Sequence, residues 1–220
     1  MDEISAGGVK LGLSGPISDL YPALAASTPG MTEAKLEVMR APKETPVTTD
    51  ASAQRSETFT WIDPAIALEK LPRLSGMDYF SGLRDGSIAP PPIASLMNFD
   101  LVDARFGRVE FQCRPGEAHY NPPLGMVHGG LACTLLDTVL GCAAHTTLEA
   151  GIGYTSIDLA VKYLRPITLQ KGALRAEGGS VVKAGPRAIF TEGRLSTADG
   201  KILATATSTL LVFPHQPGGK

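Results

Sequence analysis

An α+β domain, in which an antiparallel sheet wraps around one long central helix behind an irregular N-terminal extension, is the fold class this sequence predicts. Three observations carry it. Between Gly129 and Leu148, Leu131, Ala132, Cys133, Leu135, Leu136, Val139, Leu140, Cys142, Ala143 and Ala144 leave almost no polar face, and a helix apolar nearly all round belongs in the middle of a fold. Two strand-like runs precede this segment and four follow it. Turn signals separate them, the strongest being Asp199-Gly200. Strands that outnumber the helix and share one core are accommodated most economically by a single sheet curled around it.

The chain has 220 residues, 43% of them hydrophobic, enough for one substantial core plus an extension rather than two domains. Residues 1–60 are rich in Ala, Gly, Ser, Thr and Pro, with scattered bulky residues such as Leu20, Tyr21 and Met39. That composition does not bury enough apolar surface to offset ordering, so the segment reads as an extension, weakly structured or docked on the core, with one short helical turn at Leu36–Met39. Residues 61–96 form a helical lead-in: Ile66, Leu68, Leu71, Leu74, Met77, Phe80 and Leu83 predict one or two short helices, ending near Gly86 and the breaker Pro90-Pro91-Pro92. The domain proper spans 97–214. It opens with a hairpin, residues 99–103 and 108–113 around a turn at 104–107. After the helix come runs 152–164, 173–183, 188–195 and 202–213.

A net charge of −2 gives no sequence-wide attraction for nucleic acid or anionic membrane. No uninterrupted apolar stretch reaches the roughly 20 residues that cross a bilayer, and Met1-Asp2-Glu3 opens no secretory leader. Three cysteines, Cys113, Cys133 and Cys142, are an odd set without CxxC spacing and read as small core residues in a reducing compartment. A cytoplasmic protein with no nucleic-acid or membrane partner is the expectation.

Asp137 is the anomaly of the apolar helix. A carboxylate there loses several kcal/mol of solvation unless it is paired. Two readings fit: it faces a solvated subunit interface or bonds a neighbouring backbone amide, or it does chemistry. Gly129-Gly130 at the helix start lets a ligand approach exposed N–H groups, where the helix dipole favours an oxyanion. For an isolated glycine pair a turn or tight-packing requirement is the better explanation. Asp137 lies eight residues beyond Gly129, about 12 Å at ~1.5 Å per residue, so the two cannot touch one small carbonyl within a subunit. A long substrate bridges them, or a second copy of the helix supplies its own carboxylate across a symmetric dimer. His128 orients the loop or caps the helix. His119 and His145 lack metal-ligand spacing, so no metal is expected, and no cofactor. No G-x-S-x-G elbow, GxGxxG or P-loop spacing follows a strand.

The run from His119 through Asn121-Pro122-Pro123-Leu124-Gly125-Met126-Val127-His128-Gly129-Gly130 to Asp137 resembles the hotdog-fold thioesterases of the phenylacetate-degradation (PaaI-like) type. The resemblance continues through Tyr154-Thr155-Ser156-Ile157-Asp158-Leu159 and Tyr163-Leu164-Arg165-Pro166, and covers about residues 75–213. Its specificity lies in the combination of Gly-x-x-His-Gly-Gly, an acid nine positions after the histidine, and Ser-x-Asp before Tyr-x-x-Pro. The resemblance implies a hotdog dimer, assembled further into a homotetramer, that hydrolyses acyl-CoA thioesters of small aryl or medium-chain acids. It implies Asp137 as nucleophile or general base, the Gly129 amide as oxyanion donor beside His128 and Gly130, Ser156 as a residue that places water, and Asn121 as a contact to the carbonyl or the water. The Pro122-Pro123 pair departs from the family by one extra residue before the glycine. A thioester carbonyl is electrophilic and its thiolate leaves readily, so one carboxylate and one donor suffice. Of the cations on or beside the late strands, Arg165, Lys183, Arg187 and Arg194, the expectation for coenzyme A phosphates falls on Arg187, beside the Gly185-Pro186 turn, with Arg165 second.

Rival readings are a hotdog hydratase, which needs a helix-borne Asp and His pair not found here, and a non-catalytic acyl-CoA sensor. The sensor normally carries a DNA-binding module, and residues 1–60 show no basic helix-turn-helix pattern.

Overall fold

A computed structural model describes residues 4–6, 9–11, 54–121, 125–177 and 181–214. The chain divides into two units, Met1–Ser56 and Glu57–Lys220. In the first, strand β1 (Ile4–Ala6) pairs antiparallel with β2 (Val9–Leu11), Ile4 opposite Leu11. This short pairing lies within the extension and was not foreseen, because three-residue strands are too short for alternation to register. The helical turn expected at 36–39 lies outside the described residues.

The second unit opens with three short helices. Helix α1 (Pro64–Leu68) starts where Asp63 accepts the Ala65 amide at 2.9 Å. In α2 (Gly76–Asp85), Ser75 and Asp78 form a reciprocal capping box, and Gly86 ends the helix in the left-handed region at φ 80°. The proline run expected to break structure instead starts α3 (Pro92–Leu96): Pro91 is the cap and Pro92 the first helical residue, where a missing N–H costs nothing.

The sheet is antiparallel throughout. Strands β3 (Phe99–Arg105) and β4 (Arg108–Cys113) form the predicted hairpin, with β3 two residues longer than alternation suggested. Two-residue strands β5 (Tyr120–Asn121) and β6 (Met126–Val127) pair just before helix α4 (Gly129–His145). Then come β7 (Ile152–Tyr163), β8 (Leu174–Glu177), β9 (Val181–Ala184), β10 (Ala188–Thr197) and β11 (Ile202–Pro214). The spatial order is β3-β4-β8-β10-β11-β7, and β9 also pairs with β10. The single run predicted over 173–183 is thus two strands: β8 pairs with the end of β10, from Arg194 to Thr197, and β9 with its start, from Ile189 to Thr191.

Helix α4 lies against the inner face of this sheet. Leu131, Leu135, Leu136, Val139 and Leu140 are at most 3% exposed and share one core with Val109, Phe111, Leu174, Ala176, Leu195 and Leu203. Burying a side chain of this size contributes about 1.5–3 kcal/mol. At the helix end, the Thr146 hydroxyl accepts the Gly107 amide at 2.7 Å and so ties the β3–β4 turn to α4. Helix α2 docks nearby through Gly76, where a Cβ would lie 1.7 Å from the His145 carbonyl oxygen, a space only glycine can occupy.

The rings of Tyr79, Phe80 and Tyr154 surround His145 at 5.2–5.7 Å between centroids. Burial lowers the imidazole from its usual 6.5 to about 4. Between those values the unfolded chain binds a proton that the folded one refuses, so stability falls as pH drops from 6.5 to about 4, by up to about 3 kcal/mol. In urea titrations at pH 7 and pH 4.5, His145→Phe should show a smaller loss of midpoint on acidification than the wild type. An equal loss would assign the acid sensitivity to other groups.

Candidate active site along the Asp137 ridge of the central helix

Helix α4 is not apolar all round. Gly129, Cys133, Asp137 and Gly141 recur every fourth residue and therefore form one ridge, with Asp137 exposed in the single chain. Strand β7 runs antiparallel to α4 along this ridge. Near its start, the Tyr154 ring occupies the space a Gly141 Cβ would need, 2.9 Å away. Ser156 Oγ donates to Asp137 Oδ1 at 2.9 Å, and at the strand's end Tyr163 reaches both Cys133 and Gly129. A bulge in β7 makes this possible. Ser156 pairs with Leu210 and Asp158 with Thr209, which leaves Ile157 outside the ladder and 60% exposed. One extra residue shifts the side-chain alternation, so Tyr154 and Ser156 before it and Leu159, Val161 and Tyr163 after it share the helix-facing side.

The helix start leaves the Gly129 amide available among the described residues. Leu131 N–H donates to the His128 carbonyl at 3.1 Å and Gly130 N–H to His128 Nδ1 at 2.9 Å. Gly129 N–H has no hydrogen-bond partner among the described residues. His128 is therefore the N-cap, and its Nδ1 is committed to an amide proton. Gly130, expected beside the substrate, has its amide turned to that cap, and a Cβ on it would stand 2.8 Å from His128 Nδ1. Its carbonyl accepts from Thr134 Oγ1 at 3.0 Å. Asn121 is held one short ladder upstream, opposite Met126, and His128 N–H donates to the His119 carbonyl at 2.8 Å. The Pro122-Pro123 step lies outside the described residues.

Arg165 and Arg187 fall at opposite ends of the β7–β11 pair. Arg165 follows Tyr163 at the helix-start end and donates to the Ile202 carbonyl at 2.6 Å. The Arg187 carbonyl accepts from Val212, whose strand partner is Tyr154, at the far end. From Tyr154 to Tyr163 the strand extends for roughly 30 Å at ~3.3 Å per residue, so within one subunit Arg187 and Arg165 cannot grip the same phosphate. Arg194 is committed to Glu177.

Cys142 is pushed up to about 12 by burial, with the Asp137 charge adding to it, and burial holds the Tyr154 phenol well above its usual 10. Both stay protonated at neutral pH, so neither is a nucleophile there. Among the described residues no group of His, Cys, Asp and Glu could hold a metal ion, and no helix is long and apolar enough to cross a membrane. Tyr163 and Cys133 entered the sequence reading only as motif and core residues. The signal for Cys133 was present in the four-residue spacing Gly129-Cys133-Asp137, masked by reading cysteine as apolar filling.

Comparison with known proteins agrees with this architecture. The profile of the thioesterase superfamily matches residues 124–204. Human acyl-coenzyme A thioesterase 13 is 33% identical over 110 residues, which span 50% of this chain and 76% of that protein. The crystal structure of a phenylacetic acid degradation-related protein from Ralstonia eutropha JMP134 superposes with a TM-score of 0.55 at 30% identity, covering 60% of this chain and 98% of that one. A thioesterase family protein from Silicibacter pomeroyi shares the fold, with a TM-score of 0.54 at 24% identity over 62% of this chain and 98% of that one. With a buried helix wrapped by an antiparallel sheet and these relatives, the chain belongs to the thioesterase superfamily as a hotdog-fold, PaaI-like enzyme of thioester hydrolysis.

Proposed function

We propose that this chain hydrolyses acyl-CoA thioesters of small aryl or medium-chain acids to the free acid and coenzyme A, with the helix start of one subunit facing the helix carboxylate of another. The observation that carries this reading is the ridge itself. Gly129, whose amide has no hydrogen-bond partner among the described residues, and Asp137, with its Ser156 hydrogen bond, stand on one ridge of α4 but about 12 Å apart at ~1.5 Å per residue. One carbonyl cannot meet both in a single chain. A two-fold dimer that sets two antiparallel ridges side by side brings each Gly129 to the other's Asp137 and makes two equivalent sites. Strand β7 supports that assembly, because it is twelve residues long and forms one edge of the sheet, a ready surface for a second copy. Two such dimers form the homotetramer of the full reading.

In the reaction, the Gly129 N–H receives the thioester carbonyl oxygen. The Asp137 carboxylate takes a proton from water as the water oxygen bonds to the carbonyl carbon, or it attacks the carbon itself and forms an anhydride that water later opens. The tetrahedral oxyanion is held by the Gly129 amide at the positive end of the helix. Collapse breaks the C–S bond, and in the water route the thiolate recovers the proton from Asp137. Ser156, donating to Oδ1, leaves Oδ2 to face the water, and Asn121 contacts the carbonyl or that water. His128 and Gly130 fix the helix start. Arg187 and Arg165, at opposite ends of β7, are assigned to phosphates of the nucleotide, each from a different subunit's site. The name of the human relative supports acyl-CoA as substrate, and that of the Ralstonia protein supports an aryl acyl group from phenylacetic acid degradation. The free thiols Cys113, Cys133 and Cys142 support a reducing compartment, the cytoplasm.

Release of free thiol from a panel of acyl-CoA substrates tests the assignment. Asp137→Ala should fold and oligomerise as the wild type does but lose about 10²–10⁴-fold in kcat. Unchanged turnover would remove Asp137 from the chemistry, and tight binding of every acyl-CoA without turnover by the wild type would favour a sensor. Ser156→Ala should lower kcat by roughly ten- to a hundredfold with KM little changed, because it frees the Asp137 carboxylate to rotate. A change in KM alone would make Ser156 a binding residue.

A further inference from the structure

The first turn of α4 is gripped from two sides, and only one grip is a helix cap. His128 Nδ1 accepts the Gly130 N–H at 2.9 Å. On the opposite side of the same peptide unit, Tyr163 Oη donates to the Gly129 carbonyl at 3.2 Å. The phenol has one proton, so with that proton on the Gly129 carbonyl its 2.8 Å contact with Cys133 Sγ is made by the thiol donating to the phenol oxygen. A chain therefore runs from the Cys133 S–H through Tyr163 O–H to the Gly129 C=O. The ring also fills the flank of the helix start, where a Cβ on Gly129 would lie 3.3 Å from three of its atoms.

An ordinary helix N-terminus needs none of this. The Gly129 carbonyl is already placed to accept a bond from within the helix, so a second donor adds nothing to capping. What it adds is orientation. The Gly129–Gly130 peptide is a glycine pair, the least restrained link the backbone offers, and it adjoins the Gly129 amide, which has no hydrogen-bond partner among the described residues. A donor that waits for an oxyanion has value only if it is held in place before the charge develops. The residue that holds it here is delivered by the β7 bulge: without the extra residue at Ile157, Tyr163 would turn to the other face of the sheet.

We propose that Tyr163 is a positioning residue that, backed by the Cys133 thiol, clamps the Gly129–Gly130 peptide against the His128 cap and so fixes the direction of the Gly129 N–H. This rests on the reading of that amide as the oxyanion donor. Tyr163→Phe keeps the ring and removes only the hydroxyl. Two readouts are taken on the intact protein, one independent of activity. In amide hydrogen exchange followed by NMR, the Gly130 N–H of Tyr163→Phe should exchange at least about tenfold faster, with core amides such as Leu136 unchanged. In thiol-release kinetics, kcat should fall about tenfold with KM within twofold, as expected when an interaction is made only in the transition state. Cys133→Ala, which removes the backing donor, should move both readouts in the same direction by a smaller factor. Unchanged Gly130 exchange in Tyr163→Phe would overturn the clamp, and so would faster exchange spread evenly over the core. Faster Gly130 exchange with full kcat would keep the clamp and refute Gly129 as the donor, which separates the two assignments.

Discussion

Everything in this molecule depends on how helix α4 is buried. Five large side chains from Leu131 to Leu140 need an apolar surface that wraps more than half the helix, and only a strongly curled sheet supplies one. The strands on its inner face meet that demand with Val109, Phe111, Leu174, Ala176, Leu195 and Leu203. The same packing leaves one ridge of the helix to β7, and its residues are small or polar: Gly129, Cys133, Asp137 and Gly141, of which Asp137 is exposed. Side chains larger than these would collide with β7, as the Gly141–Tyr154 and Gly129–Tyr163 approaches show. Core and candidate site are thus two sides of one helix, and the geometry of the first sets the position of the second.

Strand β7 is the second constraint. As an edge strand it has one neighbour, β11, and its bulge at Ile157 disturbs no further pairing. Bulges at edges commonly re-aim side chains. Here the shift brings Ser156 to Asp137 and Tyr163 to the helix start from one continuous strand, 2.9 and 3.2 Å from their respective partners. A regular strand could satisfy one of those contacts or the other. The far end of the helix is finished differently: a cluster of rings around His145 and the close docking of Gly76 join the lead-in helices to the core, so residues outside the matched family region still bear on its stability.

The ridge also explains why a lone carboxylate is tolerated. In the single chain Asp137 is exposed and hydrogen-bonded, so the desolvation that made it look anomalous in the sequence is not imposed by its own fold. On the reading proposed above, a second subunit imposes it and turns a solvated acid into a working one. The unpartnered Gly129 amide and the open edge of β7 belong to the same picture.

Local pattern determined much of this. The helix start at His128-Gly129, the β3–β4 hairpin, the Asp199-Gly200 turn and the antiparallel sheet all follow from periodicity and turn chemistry, which act over a few residues and are written in them. The glycine pair and Asp137 were visible as exceptions to an apolar pattern. Three things were not visible. Pro92 could be read as a breaker or as a first helical residue, and the choice depends on what the preceding chain packs against. The split of the 173–183 run into β8 and β9 is imposed by pairing along β10. The meeting of Tyr163 with Gly129, thirty-four residues apart, required a bulge whose position is set by the register of β7 on β11. Register is a property of two strands together, and no single strand's sequence contains it.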